Sequence, residues 1–221
     1  LGAETHFLGL GARGGSFEGD RAKIDQSLNE VAEELSQNGY KPYIVNHAPP
    51  ALSAVGYVGC ALELSEQLED LGISADYIVA TSTGGTQSGL VLGAKALGLE
   101  AEVQGVCYHK TSLQGRHERL AKQTNNAAQL LDLPIRVDPE DIVNFGDYTW
   151  DFLFDGISDR VPLMRLLGRT EGILVDPSYV GRALYAMQDK IEEGEYSSED
   201  TIVLVHTGGT PIIFDQAEQL V

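Results

Sequence analysis

A short apolar stretch, followed at once by glycines and hydroxyl residues, stands before the middle of the chain. Residues 77–81 read Tyr-Ile-Val-Ala-Thr, and residues 82–86 read Ser-Thr-Gly-Gly-Thr. A continuous apolar and β-branched run of this length is typical of a parallel strand that is covered on both faces. The glycines permit a tight turn into a helix, which we predict over about residues 86–97. A chain built around such a unit is expected to be an α/β protein.

Strand-like and helix-like segments alternate along the rest of the chain. Apolar residues at helical spacing predict helices over 20–38, 54–71, 113–131, 159–169 and 179–193, and a short final helix that reaches residue 220. Short apolar runs predict strands over 5–9, 42–45, 101–108, 135–137 and 201–206, and another strand that ends at the Asp176-Pro177 turn. We therefore expect a mostly parallel, twisted sheet with helices on both faces, whose ligands bind at the carboxyl ends of the strands.

The net charge, the apolar segments, the cysteines and the histidines indicate which partners and sites are not expected. Thirty-three acidic and 15 basic residues give a formal net charge of −18, which repels nucleic acid and anionic lipid surfaces. No segment has the length or pattern of a membrane span or a signal peptide, so no membrane association is expected. Cys60 and Cys107 stand far apart in apolar surroundings, which predicts buried thiols in the reducing cytoplasm rather than a disulfide. The histidines lack metal-ligand spacing, so no metal site is expected.

The loop after the first buried strand has the features of an anion site. Its residues are Ser82, Thr83, Gly84, Gly85 and Thr86. Two glycines let successive N–H groups point inward, the hydroxyls add donors, and the start of the following helix contributes partial positive charge. The alternative is an ordinary strand-to-helix turn in which the hydroxyls only cap the helix. Neither the dinucleotide fingerprint nor a P-loop lysine follows, which weakens a third hypothesis, a Rossmann-like nucleotide-binding module.

Two further segments stand at predicted strand ends. Residues 206–211 read His-Thr-Gly-Gly-Thr-Pro after the last strand, and Tyr179 opens a helix just after the Asp176-Pro177 turn. Two Gly-Gly turns at strand ends indicate one shared crevice, although glycines are also needed for sharp turns alone. A tyrosine at a helix start either faces such a crevice or is a core or capping residue.

In order and spacing, these three segments resemble the D-cysteine desulfhydrase and 1-aminocyclopropane-1-carboxylate deaminase family of fold-type II pyridoxal-phosphate enzymes, in the tryptophan synthase beta superfamily. The resemblance rests on residues 76–90, 171–181 and 206–211, with 54–58 similar to the helix before them, and it covers nearly the whole chain. It implies a cofactor-binding large domain over residues 51–221. Residues 1–50 would be the remnant of a small domain, most of which is missing, and its crossover.

The resemblance also implies roles for individual residues. The cofactor is pyridoxal 5'-phosphate, and its phosphate would be held by Ser82, Thr83, Gly84, Gly85 and Thr86. Tyr179 would be the catalytic tyrosine, and Thr207 would act beside the cofactor ring and the substrate, next to Gly208. Val180 falls where relatives carry a Glu, Ser or Thr that serves the pyridine nitrogen. The family further implies a small amino-acid substrate, a homodimer and a cytoplasmic enzyme.

The chain also departs from the family pattern. The family's cofactor-binding lysine, in a Gly-Gly-Asn-Lys segment, and its Ser-Asn-His segment are both absent. A second active-site tyrosine falls on Leu153, with Tyr148 and Phe154 nearby, and Val180 cannot hydrogen-bond a ring nitrogen. One hypothesis is therefore a lyase or hydrolytic deaminase whose lysine lies upstream of Leu1. The other is a pseudoenzyme that binds the cofactor or an amino acid without turnover.

Overall fold

The structure is a computed structural model that describes residues 17–45, 49–81, 84–107, 113–146, 148 and 157–215. Its helices, in chain order, are α1 Phe17–Gln37, α2 Pro50–Leu71, α3 Gly85–Leu97, α4 Leu113–Leu130, α5 Ile157–Thr170, α6 Val180–Glu192 and α7 Ile212–Asp215. Its strands are β1 Tyr77–Thr81, β2 Glu102–Val106, β3 Val143–Phe145 and β4 Ile202–Leu204. The chain divides into two compact units, Leu1–Pro49 and Pro50–Val221, and the sheet lies in the second.

The four described strands form one parallel sheet in the order β3-β2-β1-β4. β1 pairs along its whole length with β2, from Tyr77 opposite Glu102 to Thr81 opposite Val106, and on its other side with β4. The carboxyl ends of all four strands therefore lie at one edge of the sheet. The predicted α/β architecture is confirmed.

Helices cover both faces of this sheet, as the continuous apolar strands require. Ile78 and Ala80 of β1 pack in a core cluster with residues of α2, α3 and α4. Val79, which points the other way, packs with Ala183 and Ala186 of α6. α5 lies against α6 through a smaller cluster that includes Met164 and Tyr185.

Glycines set the distance between α2 and α3. A Cβ atom at Gly85 would overlap the side chain of Ser53, and a Cβ atom at Gly89 would overlap the carbonyl oxygen of Ala54. A Cβ atom at Gly93, one turn farther on, would likewise overlap the side chain of Ala61. The two helices therefore run parallel in close contact, which fixes the start of α3 beside the start of α2.

The predicted strand at residues 135–137 is wrong. The side-chain amide of Asn125 on α4 donates to the carbonyl of Val137 at 2.8 Å and accepts from its N–H at 2.9 Å. Because one amide satisfies both backbone groups of Val137, this residue needs no neighbouring strand. The strand beside β2 is instead β3, in a stretch for which no strand was predicted.

Two other apolar runs are not strands either. Residues 42–45 form no strand, and Tyr43 and Val45 are 77% and 73% exposed. In the run before Asp176, the carbonyl of Leu174 accepts a hydrogen bond from a histidine side chain rather than from a strand. The predicted strand at 5–9 and the end of the final helix lie outside the described residues. Among the helices that the structure describes, none has the length and apolar character of a membrane span.

Candidate functional site

The end of β1 touches the turn that carries Tyr179. The hydroxyl of Thr81, which is 1% exposed, donates a hydrogen bond of 2.7 Å to the carbonyl oxygen of Tyr179. Ser82 and Thr83, the first residues of the predicted phosphate loop, lie outside the described residues. The structure thus brings together the strand that leads into this loop and the turn of the predicted catalytic tyrosine.

The start of α3 lies at this edge of the sheet. Gly84 occupies the N-cap position, and no side chain of the described residues caps the helix there. A Cβ atom at Gly84 would meet no atom of the described residues within 4 Å, and Gly85 and Thr86 are half-buried. The first N–H groups of a helix have no partner within the helix, and they carry partial positive charge. A helix start of this kind is suited to binding an anion.

The start of α6 is closed by an anion of the protein itself. The carboxylate of Asp176 is fully buried. Its Oδ2 accepts from the N–H groups of Ser178 at 2.9 Å and Tyr179 at 2.6 Å, and its Oδ1 accepts from that of Val180 at 3.0 Å. Because this carboxylate uses the N–H groups that an external anion would need, α3 is the more suitable phosphate site of the two.

The loop after β4 is tied to the same turn. His206 Nε2 lies 2.9 Å from the carbonyl oxygen of Leu174, and the N–H of Gly208 lies 3.2 Å from His206 Nδ1. A carbonyl only accepts and an amide N–H only donates, so the neutral ring with its hydrogen on Nε2 satisfies both contacts. Gly209, with φ of 85°, lies against the carboxylate of Asp176, where a Cβ atom would overlap it.

Thr207, in the same loop, has a buried hydroxyl that makes no hydrogen bond within the described residues. A buried hydroxyl without a partner costs about 1–3 kcal/mol, so such groups in proteins generally have one. A ligand at the carboxyl edge of the sheet would supply this partner. The residues present therefore fit a bound polar group at this position.

Val180 lies in an apolar environment. It is 1% exposed and packs with Met164, Val175 and Tyr185. This packing accounts for a valine at the position without any ligand contact, and the assignment of Val180 to the pyridine nitrogen stays a prediction.

Tyr148 is engaged elsewhere. Its hydroxyl donates to Asp189 Oδ2 at 2.7 Å. Asp189 comes ten residues after Tyr179, which is about 15 Å along α6. This bond ties the Tyr148 hydroxyl to α6, and the position of the family's second tyrosine stays a prediction. Leu153 and Phe154 lie outside the described residues.

The lysines on α3 and α6 lie at the ends of these helices that are remote from the site. Lys95, in the last turn of α3, bonds Asp141 at 2.9 Å. Lys190, in the last turn of α6, bonds Glu193 at 2.7 Å and Glu195 at 3.0 Å, and the bond to Glu193 is the main cause of its raised pKa. Lys23, Lys41 and Lys122 are exposed, and Lys110 lies outside the described residues. In the part of the chain that the structure describes, no group of three or more His, Cys, Asp or Glu residues could hold a metal ion.

Sequence reasoning missed several residues that build the site. Asp176 carried a detectable signal, because an acidic residue just before a helix is a common cap. The contact of Thr81 with Tyr179 joins residues that are 98 positions apart, and no local pattern in the sequence indicates it.

Comparison with known proteins gives a consistent result. A family model described as "Pyridoxal-phosphate dependent enzyme" matches residues 1–208. The D-cysteine desulfhydrase of Klebsiella pneumoniae subsp. pneumoniae is 33% identical over 188 residues, which cover 85% of this chain and 56% of that protein. The 1-aminocyclopropane-1-carboxylate deaminase of Burkholderia ambifaria (strain MC40-6) is 32% identical over 201 residues, 88% of this chain and 58% of that enzyme.

A solved structure has the same fold. The crystal structure of a homologue of aminocyclopropane-carboxylate (ACC) deaminase superposes with a TM-score of 0.72 and 28% identity, over 95% of this chain and 60% of that one. The chain thus spans somewhat more than half the length of these relatives.

Proposed function

The chain belongs to the family of pyridoxal-phosphate dependent enzymes, and we propose that it carries the phosphate site and part of the substrate site of a lyase or deaminase acting on a small amino acid. The relatives are D-cysteine desulfhydrases and aminocyclopropane-carboxylate deaminases, whose substrates are small amino acids.

The start of α3 is the observation that carries this proposal, because no side chain of the described residues caps it. A Cβ atom at Gly84 would meet none of their atoms, whereas the start of α6 already holds the carboxylate of Asp176. The hydroxyl of Thr207, which has no hydrogen-bond partner within the described residues, supports a ligand at this edge of the sheet. A phosphate monoester is suited to a helix start of this kind, since it accepts several N–H hydrogen bonds and carries negative charge.

The proposal gives each residue a task. Backbone N–H groups at Gly84, Gly85 and Thr86, with the loop residues Ser82 and Thr83, bind the cofactor phosphate. The chemistry that the cofactor supplies when bound is an electron sink for a negative charge on the substrate carbon. The hydroxyl of Tyr179 moves a proton at the substrate, and the hydroxyl of Thr207, beside Gly208, donates or accepts a hydrogen bond from a bound group.

The same proposal includes a cytoplasmic homodimer and a large domain over residues 51–221, preceded by the end of a small domain. Cys60 and Cys107 form no disulfide, which supports a reducing compartment. The boundary between the two compact units, after Pro49, is compatible with this domain division.

The phosphate site is tested with Gly84→Asp, and Gly84→Ala is the matched control. A Cβ atom at Gly84 meets no atom of the described residues, so both side chains are expected to fit, but the aspartate places a carboxylate where the phosphate would bind. Binding of pyridoxamine 5'-phosphate is measured by fluorescence. We expect the unaltered chain and the alanine variant to bind it, and the aspartate variant to bind it at least about tenfold more weakly. Equal affinity for all three would contradict the proposal.

A second candidate function is a pseudoenzyme that binds the cofactor without turnover. The apolar packing of Val180 favours it. The family resemblance gives a polar residue at this position to serve the pyridine nitrogen, and a valine cannot take that role. The two candidates differ in activity. Release of sulfide from D-cysteine, or of ammonia from aminocyclopropane carboxylate, by the intact protein as its source produces it supports the enzyme. Binding of pyridoxamine 5'-phosphate without either release supports the pseudoenzyme.

A further inference from the structure

Gln87 is a fully buried polar residue in the first turn of α3, two positions after the helix begins. Its side-chain Nε2 donates to the carbonyl oxygen of Val143 at 2.8 Å, and its Oε1 accepts from Asn144 Nδ2, also at 2.8 Å. Val143 and Asn144 belong to β3, which is not adjacent to α3 in the chain. A buried amide that lost these bonds would be strongly unfavourable, so the bonds fix where the first turn of α3 lies.

Gly105 of β2 makes this connection possible. The side chain of Gln87 crosses β2 to reach β3, and a Cβ atom at Gly105 would overlap both Gln87 Oε1 and Asn144 Nδ2. Asn144 Nδ2 also donates to the carbonyl oxygen of Gly105 at 3.1 Å. The amide pair is thus anchored to both strands that lie on this side of β1.

The first turn of α3 is therefore held from two sides. On one side Gly85 and Gly89 bring it into close contact with α2, and on the other side Gln87 links it to β2 and β3. Farther along, α3 is held by buried apolar residues, and Gln87 supplies the hydrogen bonds that join its first turn to the sheet. The strength of a hydrogen bond falls steeply as its angle departs from linearity, so small rotations of this turn change phosphate binding.

We propose that Gln87 and Asn144 are positioning residues that aim the first N–H groups of α3 at a bound phosphate monoester. This inference rests on the proposed function, because it concerns the same phosphate site. The pair sets the affinity for the phosphate group of the ligand and leaves the affinity for its ring unchanged. No atom of either side chain needs to touch the ligand.

The test compares Gln87→Met with Gln104→Met. Gln104 is also buried, at 4% exposure, but it lies on the other face of β2, where it accepts from the hydroxyl of Tyr196 and donates to Glu102. Both substitutions remove the hydrogen bonds of a buried glutamine, and only Gln87→Met acts on α3. Dissociation constants are measured for pyridoxamine 5'-phosphate and for pyridoxamine, which lacks the phosphate.

We expect Gln87→Met to weaken pyridoxamine 5'-phosphate about tenfold and pyridoxamine by less than about twofold, and Gln104→Met to change neither. Asn144→Val is a milder second variant in case Gln87→Met does not fold, since Asn144 lies half-buried on β3. It should give the same selectivity. If both variants fold, the double variant should lose no more phosphate affinity than Gln87→Met alone, because Asn144 acts on α3 through its hydrogen bond to Gln87.

Equal weakening of both ligands, or the same loss for Gln104→Met, would overturn the positioning role and leave the phosphate site intact. If instead the unaltered chain shows no preference for the phosphorylated ligand, the proposed function itself fails, and this inference fails with it.

Discussion

The hydroxyl of Thr81 and the carbonyl oxygen of Tyr179 are joined by a hydrogen bond of 2.7 Å across 98 residues of chain. Thr81 ends β1 and precedes the proposed phosphate loop, and Tyr179 precedes α6 and is the proposed catalytic tyrosine. This bond links the strand that leads into the proposed phosphate loop to the turn of the proposed catalytic tyrosine.

Replacing Thr81 by valine should therefore destabilise the protein. Valine keeps the shape but removes one of the two hydrogen bonds that the carbonyl of Tyr179 accepts, the other being donated by the N–H of Arg182 at 3.0 Å. The loss of one such bond costs about 0.5–1.5 kcal/mol. Thr81→Ser keeps the hydroxyl and should lose less. Urea unfolding of the three proteins measures the difference, and a valine variant as stable as the serine variant would contradict the role of this bond.

Alanine substitutions at two glycines should change the free energy of unfolding in opposite directions, because one glycine lies in the contact between α2 and α3 and the other does not. Gly89→Ala places a Cβ atom on the carbonyl oxygen of Ala54, and a backbone atom cannot move aside cheaply. We expect a loss of about 2–4 kcal/mol in the free energy of unfolding, and poor folding at the upper end. Gly56→Ala, on an exposed and open position of α2, should stabilise the helix by about 0.5–1 kcal/mol. Thermal unfolding distinguishes the two, and equal effects would exclude the packing explanation.

The parts of this structure that depend on local pattern could be predicted from the sequence. β1 has the predicted bounds, and the helix after it begins at Gly85, one residue before the predicted start. Both elements follow from an apolar run and a glycine turn. Residues 135–137 could not be predicted, because an amide on α4 takes the place of a strand there. The predicted crevice required only that strand ends share an edge. The bonds that hold the first turn of α3, such as that of Gln87 with Asn144, depend on which strands become neighbours.

His206 should be in its Nε2-protonated neutral form. The carbonyl of Leu174 requires a donor at Nε2, and the N–H of Gly208 requires an acceptor at Nδ1. Nitrogen-15 NMR of the imidazole ring identifies the tautomer directly, and a hydrogen on Nδ1 would contradict the geometry. His206→Asn, which retains an acceptor near the position of Nδ1, should perturb the amide resonance of Gly208 less than His206→Leu does.

His117 should make the stability of the fold depend on pH. Burial, and then the nearby charge of Arg116, lowers its pKa below the ordinary value of 6.5, and Glu140 opposes this only in part. At a pH near or below the ordinary pKa, the unfolded chain therefore binds more protons than the folded protein. The folded state consequently loses stability as the pH falls through this range. We expect the loss between about pH 7.5 and about pH 5.5 to be smaller for His117→Gln. Urea unfolding at both pH values measures it, and equal losses would show that His117 is not responsible.

Thr207→Val should separate stability from ligand binding. Because the hydroxyl of Thr207 is buried without a partner in the described structure, its removal breaks no hydrogen bond there and relieves an unsatisfied group. The free energy of unfolding should stay unchanged or rise by up to about 1 kcal/mol. If the hydroxyl serves a bound cofactor, the same substitution should weaken pyridoxamine 5'-phosphate by about five- to tenfold, and Thr207→Ser should restore most of the affinity. A destabilised valine variant with unchanged affinity would show that the hydroxyl has a structural role, and Thr207 would then be removed from the proposed site.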